Sequence, residues 1–193
     1  MSFKLNPRMA RVYGLAEPGR FTLNLGSGET SIGDVTADIN RASRPSVVLD
    51  ATRLPFRGAS FDQVIFADVI EHIPEGKEVG ALAEIRRVLR AGGRLVLSTP
   101  FDRPLYTWTD PARFFSGHRH YKVSQLERFN REAGLKTEQV FTAGGIFACI
   151  DNLFVMGTGA SKRVGRGFLT RRVEREYEGS RAKGYTIFMV STK

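Results

Sequence analysis

Cysteine, tryptophan and long apolar runs are scarce in this chain. Cys149 is its only cysteine and Trp108 its only tryptophan. A lone thiol cannot close an internal disulfide, so no disulfide framework holds the fold, and this usage suits a reducing cytoplasm. No run of about 18 or more apolar residues is present, which excludes a membrane-spanning helix of the usual kind. The N-terminal MSFKLNPRMARVYG has basic residues but no apolar segment behind them, so export is not expected. Internal repeats, low-complexity tracts and interdomain linkers are also missing. The 193 residues therefore read as a single domain, residues 1–193, long enough to bury a full core.

Acidic residues are also in short supply, and the formal net charge is +9. Much of the excess lies in the last fifth of the chain, in Lys162, Arg163, Arg166, Arg171, Arg172, Arg175, Arg181, Lys183 and Lys193. Such a segment can attract phosphate, nucleic acid or an anionic membrane surface. Glu174, Glu176 and Glu178 are interleaved with it, so we read it instead as a solvated helix face with i,i+4 pairs. Nucleic acid and peripheral membrane contact are kept as secondary expectations, since no dedicated RNA-binding motif accompanies the charge.

What is present is an alternation of strand-like and helix-like stretches, which predicts an α/β fold with a mostly parallel sheet. Strands are expected at 22–25, 34–38, 46–50, 63–67, 94–98, 136–141 and 185–191. Val79, Leu82, Ile85, Val88 and Leu89 recur at helical spacing and predict a helix over 79–90, stopped by Ala91-Gly92-Gly93. A second helix is expected over 125–133, with Ser124 as N-cap and Gly134 as its stop. The aromatic and proline-rich stretch 102–121 reads as a loop over the carboxyl edge of the sheet. The apolar stretch 146–159 reads as a helix or lid.

The most informative segment is Phe21–Asn40, FTLNLGSGETSIGDVTADIN. A buried strand ends in Gly26-Ser27-Gly28, and a second strand ends in Asp38. Glycines let a ligand approach the backbone, and a strand-end carboxylate can accept hydrogen bonds from a ribose diol. An adenosine-containing cofactor is the natural occupant. A dinucleotide is disfavoured, because Ser31 stands at the third glycine position and Asp38 comes only ten residues after Gly28.

The order of the following motifs narrows this further. D-A-x-x-L-P-F at Asp50–Phe56, S-F-D at Ser60–Asp62, E-H-I at Glu71–Ile73 and R-x-L-x-x-G-G-x-L at Arg87–Leu95 follow in series. With the glycine turn, this series resembles the class I S-adenosylmethionine-dependent methyltransferases, specifically the type 11 group, over residues 21–98. The resemblance implies a Rossmann-like methyltransferase sandwich whose last strand is antiparallel, and S-adenosyl-L-methionine as cofactor. Asn24, Gly26, Ser27 and Gly28 would lie under its methionine portion, and Asp38 with Ile39 would meet the ribose and its surroundings. Asp50 and the backbone of Ala51 would read the adenine edge, and Ala67 and Asp68 would flank the ammonium and sulfonium. Strand-end aspartates also serve as turn and cap residues, and Asp68 is read with equal weight as the cap of a helix beginning near Val69. Asp62 is read as a structural residue at the entry to its strand.

For the reaction, a positioned acceptor suffices, with a general base where the acceptor carries a proton. His72 and His120 are the candidates for that base, although E-H-I also suits an element packed against the sheet. His118 and His120 are two apart, but no cysteine or carboxylate accompanies them at ligand spacing, so no metal is expected. Tyr106, Trp108, Phe114, Phe115 and Tyr121 are candidates for the acceptor pocket or simply for core.

One departure from the family pattern is visible. Gly28 and Asp38 leave no room for a full helix between the first two strands, since three turns at about 5.4 Å each would be needed. The first crossover helix is therefore expected to be missing and the N-terminal cover short. A subset of short methyltransferase-like proteins, often associated with surface polysaccharide genes, resembles this pattern. The function expected is methyl transfer to a small-molecule, glycan or lipid-linked acceptor. The alternatives are a catalytically inactive cofactor-binding partner subunit and an RNA methyltransferase; a homodimer would cover an exposed cofactor.

Overall fold

The computed structural model describes residues 6–104, 118–151, 167–180 and 184–193. Strands form where the apolar runs predict them: β1 (Thr22–Leu25), β2 (Val35–Asp38), β3 (Val47–Val48), β4 (Phe61–Ala67), β5 (Leu89–Pro100), β6 (Lys136–Ala143) and β7 (Thr186–Thr192). Helices α1 (Pro7–Tyr13), α2 (Glu78–Val88), α3 (Val123–Glu132) and α4 (Gly167–Glu178) accompany them. The strands form one seven-stranded sheet in the order β3-β2-β1-β4-β5-β7-β6. Pairings are parallel from β3 across to β5, and β7 runs antiparallel to both β5 and β6.

Each face of the sheet carries its own core, as alternation along a strand requires. On one face Leu23, Leu25, Val64, Phe66, Leu95 and Leu97 pack with Leu82, Ile85 and Val88 of α2 and Leu126 of α3. On the other, Ile65, Val96 and Phe188 meet Val12 of α1 and Val173 and Tyr177 of α4. Asn6 caps α1 by accepting from the Arg8 backbone N–H.

The first crossover helix is missing, as the spacing predicts. Residues 26–34 return from the carboxyl end of β1 to its start as an irregular loop. Two parallel strands ordinarily need a longer, helical crossover, and the sheet face beneath shows how this one manages. Thr22, Asn24, Thr36 and Gln63 are buried polar residues on β1, β2 and β4. The Asn24 amide donates to Ile32 O at 2.9 Å, and also to Tyr13 Oη and Thr30 Oγ1. Asp34 accepts from the Thr22 backbone N–H at 2.8 Å, closing the loop onto the strand where it began. A face that would be apolar under a helix is here polar, and a loop satisfies it.

Three local expectations need correction. The Gly92-Gly93 pair does not stop α2: the helix ends at Val88 and β5 starts immediately, with the register against β4 shifting after Leu89. The glycines sit in that irregular stretch of strand, where Gly92 takes a φ of +70°. Ser124 lies inside α3 rather than capping it; the N-cap is Lys122, whose backbone N–H donates to Gln125 Oε1 at 2.9 Å. Finally, α4 is not a merely solvated charged face. Glu176 is buried and accepts from the backbone N–H groups of Phe147 and Ala148, at the start of the helical residues 146–151. The rest of the basic segment, at 162–166 and 181–183, lies outside the described residues, as do residues 152–159 of the apolar stretch. No helix among the described residues is long and apolar enough to cross a membrane.

Candidate functional site

The carboxyl ends of β1, β2 and β4 bring the glycine turn and most of the named acids to one edge of the sheet. Gly26 and Ser27 both donate their backbone N–H groups to Ala37 O, at 2.7 and 3.0 Å, which folds the turn across the end of β2. Gly26 has a φ of +77°, and a Cβ there would lie 2.1 Å from Val69 Cγ2. No side chain fits. Gly28 is the opposite case: its φ is +53°, yet a Cβ would meet nothing within 4 Å. The turn is therefore closed towards the protein and open towards solvent at its tip, as a backbone cradle for a ligand must be.

Asp38, at the end of β2, holds this turn. Its Oδ2 accepts from the Gly28 N–H at 2.8 Å and its Oδ1 from the Asn40 N–H at 2.8 Å. Each carboxylate oxygen keeps a second acceptor site for a diol. Ile39 follows with 73% of its surface exposed, an apolar side chain placed at the rim. Asp50 is exposed, and its Oδ1 accepts from the Thr52 backbone N–H and hydroxyl, both at 2.8 Å; these bonds lower its pKa. Ala51 beside it is buried. These positions fit an adenosine with its ribose: an open glycine tip, two strand-end carboxylates and an apolar rim residue.

Asn24 is not part of this edge, because its amide is spent on the 26–34 loop and on α1. Ala67 is buried at the end of β4. Asp68 does not cap a helix either. It takes a φ of +54°, its Oδ1 accepts from Ser98 Oγ at 2.9 Å, and its Oδ2 lies 2.9 Å from Arg8 Nε. The one-turn 3-10 element that follows, Ile70–His72, has Val69 as N-cap and no side-chain cap bond. Sequence reading missed Arg8 altogether. Its only signal was a basic residue inside a short N-terminal apolar stretch, and nothing there named Asp68 as its partner.

Beyond Asp68 lies a denser polar cluster. Glu71 is 2% exposed; its Oε2 accepts from Thr99 Oγ1 at 3.0 Å, and its Oε1 stands 3.6 Å from His118 Nε2. Burial, and then the neighbouring Asp68, push the Glu71 pKa well above the usual carboxylate range. His72 is exposed, its ring centroid 4.7 Å from that of His118, and burial of its inner side together with His118 lowers its pKa. His118 is set by its neighbours: Arg119 pairs with Glu78 at 2.5 Å and bonds the Ile73 carbonyl, while Tyr121 Oη donates to Ile70 O at 3.1 Å. His120 Nδ1 lies 3.3 Å from Phe101 O and borders a cleft of about 790 Å³ shared with Val79, Asp102, Tyr121 and Phe129. The carboxylate that the sequence reading found lacking beside His118 is thus Glu71, supplied by the fold. Tyr121 is a locking residue of the core; Tyr106, Trp108, Phe114 and Phe115 lie outside the described residues.

Part of this edge, from residue 29 to residue 97, lies in a stretch similar to known proteins. Residues 29–97 match the family model described as a methyltransferase domain, of the type 11 group. Over 84 residues the chain is 39% identical to a demethylmenaquinone methyltransferase of Mycobacterium sp. (strain KMS), covering 42% of this chain and 35% of that protein. The match therefore spans about a third of the relative's length. Among solved structures, a S-adenosylmethionine-dependent methyltransferase of Thermotoga maritima, titled a possible histamine N-methyltransferase, superposes with a TM-score of 0.66. It is 17% identical, over 97% of this chain and 88% of that one. A chain from a Haloferax volcanii complex of the Trm112 methyltransferase activator with a methyltransferase candidate gives 0.64 at 17% identity, over 97% and 88%. At such identities the likeness establishes the fold.

Proposed function

We propose that this chain, whose residues 29–97 match the type 11 methyltransferase domain and whose fold is that of the class I methyltransferases, transfers a methyl group from S-adenosylmethionine to a small-molecule, glycan or lipid-linked acceptor. The observation that carries the reading is the pairing of the open glycine tip with Asp38. The 2.8 Å bond from the Gly28 N–H fixes a carboxylate beside backbone that no side chain obstructs. Gly26 to Gly28 would hold the methionine portion, Asp38 the ribose hydroxyls, and Asp50 with Ala51 the adenine edge. Ile39 would cover one face of the base, and Ala67 would border the methyl group. When bound, the cofactor supplies an electrophilic methyl on a sulfonium.

The chain's own contribution is positional. Asp38 and the turn orient, Ile39 excludes water from one side, and the cleft beside His120 would admit the acceptor. His72, exposed and with a lowered pKa, is suited to accept a proton from the acceptor near neutrality. The mycobacterial relative's name, demethylmenaquinone methyltransferase, favours a lipid-soluble acceptor among the three classes.

Titration calorimetry with S-adenosylhomocysteine tests the reading. Binding in the micromolar range is expected, with Asp38→Ala weakening it at least tenfold while the chain stays folded. No binding to folded protein at millimolar ligand would remove the cofactor, and with it the function.

A second reading has its own observation. The open 26–34 loop leaves a hollow of about 610 Å³ beside Thr30, Ser31, Gly33, Thr36 and Arg44, where a crossover helix is missing. A partner subunit would cover it, making the chain a cofactor-binding subunit without turnover. A stable complex in pull-downs, combined with cofactor binding and no methyl transfer to any acceptor, would favour this second reading.

A further inference from the structure

Three side chains from two distant parts of the chain converge at the carboxyl edge of β4. Glu71 and His72 come from the 3-10 turn after that strand, and His118 from the segment that enters α3. One ligand atom from each, two imidazole nitrogens and a carboxylate oxygen, lies within 4.8 Å of the others. Glu71 Oε1 is the informative atom. It is buried, points at His118 Nε2 from 3.6 Å, and has no hydrogen-bond partner among the described residues. A buried carboxylate oxygen left in this state costs free energy unless a proton or a metal cation meets it.

We infer that Glu71, His72 and His118 form a site for a first-row divalent cation. Two imidazoles and a carboxylate are a borderline donor set that suits Zn²⁺, Fe²⁺, Co²⁺ or Mn²⁺ rather than Mg²⁺ or Ca²⁺. Ligand bonds of about 2.1 Å place donors about 3–4 Å apart, so closure needs the donor atoms to draw in by about 1 Å. Supporting bonds already fix the ligands: Thr99 Oγ1 holds the far oxygen of Glu71, and the pairing of Arg119 with Glu78 and the Ile73 carbonyl anchors the residue next to His118. Local charge permits a cation. Asp68 and Glu71 are two carboxylates; Arg8 pairs with Asp68 and acts on Glu71 only at longer range, and Arg119, which also faces His72, is engaged by Glu78.

With the cation bound His72 is a ligand and no longer the base named above, and the three protein ligands leave coordination positions open on the exposed side, where it lies. An oxygen-bearing acceptor is the ligand such positions take. A hydroxyl bound there gives its proton to solvent at a lower pH than free in water. Its oxygen then attacks the methyl carbon, the C–O bond forms as the donor's C–S bond breaks, and a neutral thioether leaves. This assignment of a hydroxyl or enol acceptor rests on the methyl-transfer reading above; the cation site does not.

The test is calorimetry of the chelator-stripped full chain with Zn²⁺ and with Mn²⁺, in parallel with S-adenosylhomocysteine. One equivalent of cation is expected. Its affinity should fall at least tenfold in His118→Ala and in Glu71→Gln, with thioether binding unchanged in His118→Ala. Absence of stoichiometric binding by the unaltered chain, or binding that survives in His118→Ala, overturns the site. Should Glu71→Gln fail to fold, His118→Ala alone decides. Cation binding without thioether binding would leave the site standing and remove the methyl-transfer reading. Thioether binding without cation binding would do the reverse.

Discussion

The two halves of the carboxyl edge are built by opposite means. At β1–β3 the candidate cofactor cradle is made of backbone and short acids, held by local hydrogen bonds, and roofed by a loop where a helix is missing. At β4–β5 the edge is dense with charge: Arg8 on Asp68, Thr99 and His118 on Glu71, and Arg119 on Glu78. The first half can be shortened because a ribose and a base need only an acceptor pair, an open turn and one apolar rim residue. The second cannot, because buried carboxylates are tolerated only with partners, and these come from three separate parts of the chain. Arg8 is on α1, Thr99 on β5, and His118 and Arg119 precede α3. The charged half is therefore the one that ties the fold together.

Substitutions can break this contrast, beginning with the most severe. Gly26→Ala combines a φ of +77° with a Cβ 2.1 Å from Val69 Cγ2. A loss of about 3 kcal/mol is expected in urea unfolding, of which Val69→Ala in the same chain restores a part. Arg8→Met leaves Asp68 Oδ2 beside no cation in a mostly buried position and should cost about 2–3 kcal/mol. Asp68→Asn in the same chain should recover much of that loss, so a double-mutant cycle reads the coupling. Asn24→Ala frees the 26–34 loop from β1 and should cost about 1–2 kcal/mol. Faster amide exchange over residues 28–34 should accompany it, with little change near Glu71. Ile39→Ser should leave the unfolding midpoint where it is, because the side chain is 73% exposed, and weaken S-adenosylhomocysteine binding several-fold. If Ile39→Ser destabilised the chain instead, the cradle would not be the open, locally held structure described here.

The half that was legible in the sequence is the locally held one. Strand-end acids at Asp38 and Asp50, the glycine turn and the absence of a crossover helix all follow from spacings of a dozen residues or fewer. So do β1, β4 and β7, whose apolar runs leave little choice. Asn24 shows the limit of that reading. The family resemblance put it under the cofactor's methionine portion, whereas its amide is spent on the loop that replaces the missing helix. Thr22 and Thr36 were the accompanying signal. The charged half was hidden because its pairs are distant along the chain: Arg8 with Asp68, and Glu71 with His118. His118 was set aside for want of a carboxylate nearby in sequence, and that carboxylate is brought by the fold. Gly92-Gly93 misled for another reason, since two glycines after a helix look the same whether they end it or loosen the strand that follows.

The central claim is that the open edge between Gly28, Asp38 and Asp50 is where the methyl donor sits. A crystal structure of the chain grown with saturating S-adenosylhomocysteine tests it most directly. The ribose hydroxyls are expected on Asp38, the adenine beside Ile39 and Ala51, and the thioether sulfur near Ala67. A well-ordered thioether bound elsewhere, as in the hollow beside Thr30 and Arg44, or an empty edge in crystals grown at that concentration, would contradict it.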